Sequence, residues 1–386
     1  MEKTRNFSRN IILLGIVSFF TDVSSDMIMP ILPLFVMSIG GTGLAVGLIG
    51  GLGDSVASIM NMISGYFSDK KGKRKPFVFS GYGLSAVSKI FYAFSTLWYH
   101  IFILRIIERV GKGLRTSPRD AIIADSAEKE KRGKSFGIHR AMDSAGAILG
   151  SLLAFVFMWF FGLSFHKIFL IAGLIGFLSL IPLKFVKEKE AKPGEHALEI
   201  GLKKLPKDLR VFILIATVFA LGNFTYMFFV LRAQDFFTPE MKLVMPVLLY
   251  ALFNVTYTLF STPAGMLSDR IGRRNVILSG YALFSLTSFG FLFATNKLQL
   301  VLLFTLYGVF YALTDGTQRA FVSDLSPLEI RGTSIGAFNT AIALATLPAS
   351  LIAGFLWNCG SELTFAYGAI LGLTATILLT AFIKKD

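Results

Sequence analysis

GYFSDKKGKR, residues 65–74, returns as GMLSDRIGRR, residues 265–274. The offset is 200, and Gly65, Asp69, Lys70, Gly72 and Arg74 meet Gly265, Asp269, Arg270, Gly272 and Arg274. Further along the offset becomes 199. Ala121, Asp125, Glu130, Arg132, Gly133, Ser135 and Gly137 then match Ala320, Asp324, Glu329, Arg331, Gly332, Ser334 and Gly336. A register held across two helix ends and a loop marks an internal duplication, so the two halves should share one fold.

The surroundings of these stretches decide what kind of fold it is. Of 386 residues, 54% are hydrophobic and only 16% charged, against about 25% in an average soluble domain. That much apolar surface excludes a soluble enzyme, a disordered scaffold or a disulfide-stapled secreted domain. Cys359 is the single cysteine, so neither an intrachain disulfide nor a cysteine metal cluster is available. Apolar runs near 10–38, 43–67, 76–96, 99–125, 134–160, 166–186, 209–233, 243–267, 275–295, 299–324, 333–357 and 363–383 give twelve candidate spans. Lipid offers no hydrogen-bond partners, so each crossing should be a helix. The expected fold is an all-α membrane protein of two pseudo-symmetric six-helix bundles, residues 1–186 and 209–386, joined by a charged cytoplasmic linker, 187–208. Leu198, Leu202 and Leu205 in that linker suit a short amphipathic surface helix.

The net charge is +14. The basic residues cluster in short gaps between apolar runs, which reads as a topology signal and not as a nucleic-acid surface. Of 38 Lys and Arg, 26 fall at the two termini and in the loops after the even-numbered spans, and four in the opposite loops. Both termini should therefore be cytoplasmic in a multi-pass protein of the cell membrane, with the lipid bilayer as a partner. Residues 11–39 are too long for a signal peptide, carry Asp22 and Asp26, and read as a retained first span. Pro30 and Pro33 should kink it.

With two copies of G-x-x-x-D-[RK]-x-G-[RK]-[RK], each after the second span of a six-span half, the chain resembles the major facilitator superfamily (MFS) of secondary transporters over essentially its whole length. The glycines at 65 and 265 suit close helix packing, those at 72 and 272 a tight turn, and the basic residues a cytoplasmic loop. The resemblance implies that Asp69 and Asp269 act in gating, by docking at a helix N-terminus of the opposite bundle. Helix starts near Ser334 and Ser135 would offer unpaired N–H groups for this. Arg105, twenty residues before Asp125 with Pro118 between, follows a second pattern of the family, though Arg109 stands where a Gly is usual. Gly137, Gly146 and Gly150 keep the spacing of a fifth-span exporter pattern that Ser151, Ala154 and Phe155 then break. Plain helix packing explains those glycines equally well.

Charges within the spans point to the site. Arg105, Glu108, Arg109, Lys112, Arg115 and Arg119 recur at spacings of three and four on the fourth span, forming one stripe. A charge at the bilayer centre costs ~2.5–3.5 kcal/mol, so these side chains need partners or a cavity. Asp22 and Asp26 of the first span and Arg140 and Asp143 of the fifth are the candidate companions. One reading is a cationic wall for an anionic group, with Asp22, Asp26 or Glu108 taking up a proton; the other is internal salt bridges that orient helices. In the second half Asn223, Tyr226, Asp315, Gln318 and Arg319 are candidates, with Asp315 and Arg319 expected to pair across the cavity floor. Lys89 should find a local partner or snorkel. Met27 and Met29 suit packing better than metal binding.

No zinc spacing joins His100, His139, His166 and His196. GKGLRTS at 111–117 is not a P-loop, so no ATP site, cofactor or enzyme chemistry is expected. The sequence thus predicts a secondary transporter moving a small-molecule solute by alternating access, with protons as coupling ion, exporting an anionic or zwitterionic compound. A multidrug exporter of lipophilic cations and a lipid flippase use the same fold and remain the alternatives.

Overall fold

A computed structural model describes residues 2–128, 131–188, 205–327 and 330–383. The proposed surface helix of the linker except Leu205, the repeat partners Glu130 and Glu329, and the last three residues lie outside them. The described residues are helical and irregular, with no strand among them.

The first expected span is two helices, α1 (Glu2–Ile28) and α2 (Leu32–Ser38), separated at Pro30 with Pro33 in the first turn of α2. Proline lacks the N–H that would continue the ladder, which is why the break falls there. Then follow α3 (Gly43–Lys71), α4 (Lys75–Tyr92), α5 (Trp98–Asp125) and α6 (Arg132–Trp159), and a sixth span split into α7 (Phe165–Leu178) and α8 (Leu180–Lys184). The second half begins with α9 (Lys207–Gly222) and α10 (Met227–Ala233) and continues with α11 (Met245–Ile271), α12 (Arg273–Phe293), α13 (Lys297–Asp324), α14 (Arg331–Cys359) and α15 (Ser361–Phe382). Ten of the twelve spans are long and apolar enough to cross a membrane on composition alone. The two that fall short are α4, which is short and carries Lys75 and Lys89, and α5, which is loaded with charge.

By compactness the chain divides into Met1–Gly40 with Val56–Leu198, and Gly41–Ser55 with Glu199–Asp386. This differs from a division at the linker by residues 41–55. That first part of α3 docks on α14, where Ser55 Oγ donates to the Ala343 carbonyl at 2.6 Å. In the first unit α1 packs on α6 and α7, and α4 on α5 and α7. In the second, α9 packs on α14 and α15, and α12 on α13 and α15. These are the same four pairings carried over by the repeat, so the duplication read from the loops extends to the helix packing.

The motif turns follow their glycines. Gly72 and Gly272 have φ of +64° and +90°, where a side chain would be strained. The packing expectation holds for one of the other pair. A Cβ on Gly65 would lie 2.7 Å from Ser117 Oγ of α5, whereas one on Gly265 would meet no described atom within 4 Å. Gly146 and Gly150 press against the backbone of α1 at Phe19 and Val23, while Gly137 has open space.

Candidate functional site

The helix that carries the charges is brought close to its neighbour by two glycines. A Cβ on Gly81 of α4 would lie 2.6 Å from the Gly111 carbonyl of α5, and one on Gly111 2.7 Å from that of Gly81. This approach presses the α5 stripe onto polar side chains of α4. Arg105, Glu108, Arg109 and Arg115 are 3–8% exposed. Burial of such charges is tolerable only with partners.

Glu108 is the hub. Its Oε2 accepts from Arg105 Nη1 at 2.7 Å and from Tyr92 OH of α4 at 2.8 Å. Two helical turns away, Arg115 donates to Ser85 Oγ of α4 at 2.6 Å and lies 4.6 Å from the centre of the Tyr82 ring, a cation–π placement. Ser85 in turn donates to the Glu108 carbonyl at 3.2 Å. On the other side, Arg105 and Arg109 both direct Nη2 to Met29 Sδ, at 3.3 and 3.9 Å. Met29 sits at the helix break after α1, so the kink sets it against the two guanidiniums.

Toward the far end of α5, Arg119 pairs with Asp120 at 2.9 Å and donates to Ser18 Oγ of α1 at 3.2 Å. Ser18 Oγ also lies 2.9 Å from His139 Nε2 and 3.3 Å from Tyr82 OH. His139 Nδ1 is 3.5 Å from Asp143 Oδ2 on α6. Asp22 packs against Gly146 and lies within electrostatic reach of Asp26, Lys112, Arg115 and Arg119. Asp143 feels Asp22, Arg119 and Arg140. Lys112, at the middle of the stripe, and Arg140 are exposed.

The structure bears on three sequence expectations. Arg105 is bound by Glu108 of its own helix, three residues along the stripe. Of the two readings for Lys89 the structure has the local partners: it is 1% exposed, and Nζ reaches Ser25 Oγ at 2.8 Å, Ser24 Oγ at 3.0 Å and the Thr21 carbonyl at 3.4 Å. Asp315 and Arg319 pair with each other along α13 at 2.8 Å, and Asp315 also accepts from Tyr257 OH at 3.0 Å.

Several site residues carried no signal of their own in the sequence. Ser18, Ser85, Tyr82, Tyr92 and His139 are polar residues in apolar helices, and only contact with α5, or for His139 with Ser18 of α1, gives them a role. In the second unit, α9 stops at Gly222 and α10 starts at Met227, a break no proline announces. Asn223 lies at this break. Beside it a group of rings gathers around Tyr311: Tyr307 at 5.2 Å, Phe253 at 5.4 Å and Tyr257 at 6.3 Å, with Tyr226 and Tyr250 at 5.2 Å from each other.

The repeated loop builds a second, exposed network. Arg74 bonds both Asp69, at 3.2 Å, and Asp125, the last residue of α5. Partial burial works against the Arg74 charge, but the bonds to Asp125 and Asp69 outweigh it and raise its pKa. In the second unit the same bridge joins Asp269, at 2.9 Å, and Asp324, at 2.6 Å, yet it is made by Arg273. Arg274, the expected gating residue, instead donates to the carbonyls of Ile383 at 2.6 Å and Thr380 at 3.1 Å, capping the end of α15. In this structure Asp69 and Asp269 thus pair within their own units.

Comparison with known proteins follows the same lines. The family model described as Major Facilitator Superfamily matches residues 14–248 and again 244–386. An MFS-type transporter of Methanocaldococcus jannaschii is 48% identical over 382 residues, covering 98% of this chain and 96% of its own. The multidrug resistance protein MdtG of Enterobacter lignolyticus is 27% identical over 317 residues, covering 78% of this chain and 75% of that one. Among solved structures, the nucleoside transporter NupG superposes with a TM-score of 0.78 at 16% identity, covering 97% of this chain and 98% of that one.

Proposed function

The chain belongs to the Major Facilitator Superfamily, whose members are multi-pass membrane transporters and not enzymes, and on that premise we propose that it carries a small anionic or zwitterionic organic solute together with protons. The observation that carries this reading is the composition of the α5 cluster. Lys89, Arg105, Arg109, Lys112, Arg115, Arg119 and Arg140 stand against Glu108, Asp22, Asp26, Asp120 and Asp143, a formal excess of two positive charges in an apolar unit. A cluster of that sign attracts an anionic group and rejects a simple cation. Arg105 and Arg109 have the planar fork that suits a carboxylate or phosphate, and Lys112 adds an exposed point charge. Asp22, Asp26 and Asp143 are the proton acceptors in this reading. They stand close enough to the arginines that a shift of α1 against α5 would change how readily each ionises.

Transport follows by alternating access, outward from the cell, in the cell membrane with both termini cytoplasmic; the loop charge bias supports that orientation. The Asp69–Arg74–Asp125 and Asp269–Arg273–Asp324 bridges belong to the gating part. Their exposed ion pairs are weak enough, at ~0–1 kcal/mol each, to break and reform during a cycle.

A second reading rests on the tyrosines around Asp315. Aromatic faces beside a carboxylate suit a lipophilic organic cation, and the similarity to a multidrug resistance protein is in keeping with it. The deciding experiment is thermal unfolding of the purified protein against panels of organic anions, zwitterions and lipophilic cations, repeated at several pH values. Stabilisation by anions that is lost in Arg109→Gln supports the cationic wall. Stabilisation by cations alone, unchanged in that variant, refutes it in favour of multidrug export.

A further inference from the structure

In the second unit, α9 and α14 pack together but leave a trough of about 560 Å³ between them. Its walls are Ile213, Leu214 and Leu221 of α9 and Ala341, Leu344 and Pro348 of α14. The cause is local. Ala341 is too small to fill the space, and Pro348, inside α14, cannot donate to the carbonyl four residues back. Leu214 and Leu344 are 66% and 62% exposed, so the trough is open along its length. Arg210 is the sole charged residue among its lining and, with Leu205 before it in the chain, stands near the start of α9.

We infer that this trough is a binding site for one anionic phospholipid, with an acyl chain along the groove and the phosphate on Arg210. From Arg210 to Leu221 the groove runs eleven residues along α9. At ~1.5 Å per residue this is about 17 Å, close to half of a ~30 Å hydrocarbon core, so the groove is matched to one leaflet. Arg210 stands one turn inside the start of α9 at Lys207, where a span meets the headgroups. Apart from Arg210 and Thr217, whose hydroxyl is spent on the Ile213 carbonyl at 2.7 Å, the lining side chains are apolar, so hydrocarbon suits the trough better than water. The guanidinium at its end selects a headgroup with net negative charge over a zwitterionic one. On the orientation proposed above this is the cytoplasmic leaflet, but the inference does not depend on the solute carried.

The test is native mass spectrometry of the full chain released from nanodiscs of phosphatidylcholine mixed with phosphatidylglycerol. Two variants separate charge from shape: Arg210→Gln removes the phosphate partner, and Ala341→Phe fills the groove. Arg132→Gln, on an exposed basic residue of the other unit, is the control, and thermal unfolding checks each fold. One retained phosphatidylglycerol is expected in the parent chain and the control. Arg210→Gln should lower its preference over phosphatidylcholine about fivefold, the effect of one basic residue near the membrane surface, and Ala341→Phe should abolish retention. Equal retention of both lipids by the parent chain overturns the inference. So does loss in Arg210→Gln with none in Ala341→Phe, which would mean general surface attraction. Displacement of the lipid by a transported solute would make the groove part of the transport path and also overturn it.

Discussion

Replacing Glu108 with Gln tests whether the buried charges are held together for binding or for structure. Gln keeps the volume and an oxygen to accept from Arg105 and Tyr92, so the change removes charge and little else. The pair sits at 2.7 Å with side chains 3% and 10% exposed. Two unit charges ~4 Å apart at an effective dielectric of ~20 interact by about 4 kcal/mol. Removing one partner of a buried pair costs about 3–5 kcal/mol. Because the amide oxygen retains part of the hydrogen bond, we expect a loss at the lower end, about 2–4 kcal/mol. At ~2–4 °C per kcal/mol for a unit of this size, that is a fall of roughly 5–15 °C in Tm. Glu362→Gln is the control: its pair with Arg232 is 3.5 Å long and its side chain 55% exposed, so the cost should stay within ~1 kcal/mol.

The informative part is what an added anion does. Without Glu108, Arg105 and Arg109 lose one negative charge that acts on both, and an organic anion supplies one from outside. Ligand stabilisation grows as RT ln(1 + [L]/Kd), so the anion should raise the Tm of Glu108→Gln more than that of the parent chain. Differential scanning fluorimetry over an anion series reads both effects. A Tm within about 1 °C of the parent would refute the buried-pair argument. A large fall that no anion offsets would show that the cluster orients helices and takes no part in binding.

Three further outcomes are expected. Gly146→Ala should destabilise by about 1–3 kcal/mol, because its Cβ would lie 2.6 Å from the Phe19 carbonyl, a backbone atom that cannot step aside. Gly137→Ala, with open space, should be neutral or gain up to ~1 kcal/mol, and equal unfolding temperatures would contradict the packing of α6 on α1. Arg274→Gln should speed hydrogen exchange at the end of α15 while Arg273→Gln leaves it unchanged; the reverse would mean that the two arginines have exchanged roles. Asp22→Asn should flatten the pH dependence of uptake into proteoliposomes, and an undiminished proton dependence would leave Asp26 or Asp143 as the acceptor.

How far the sequence could be read depended on what each feature rests on. The twelve spans, the duplication and the tight turns at Gly72 and Gly272 were legible, because hydropathy, repetition and positive φ are local properties. The charge stripe of α5 was legible for the same reason, since spacings of three and four are fixed by the helix. The identity of its partners on other helices was not. Which polar groups of α4 meet the stripe depends on how closely α4 approaches, and that is set by Gly81 and Gly111, which look like any other glycines in a span. Ser18 and His139 are likewise ordinary until α1 and α6 pack. The break after Gly222 has no proline to announce it, unlike the one at Pro30. The motif itself hid one shift of role: both units have two adjacent basic residues, and only the structure shows that Arg74 bridges in the first and Arg273 in the second.

That shift bears on how a duplicated transporter divides its labour. The repeat preserves helix pairing and the acidic ends of α5 and α13, so the bridge from loop to helix end survives even when the arginine changes place. The helix interiors preserve much less. Where α5 carries Arg105, Glu108, Arg109 and Arg115, α13 offers Tyr307 and Tyr311 and, near its end, one Asp315–Arg319 pair. The helix packing is thus kept alike in both halves, while the polar interior has diverged into a charged set and an aromatic set; under the proposed function this divergence is where a solute is selected. If both sets contact the solute, its anionic part is read in the first unit and its ring or cationic part in the second. Loss of Arg109 should then weaken every anion alike, whereas loss of Tyr311 should discriminate among anions by the ring they carry.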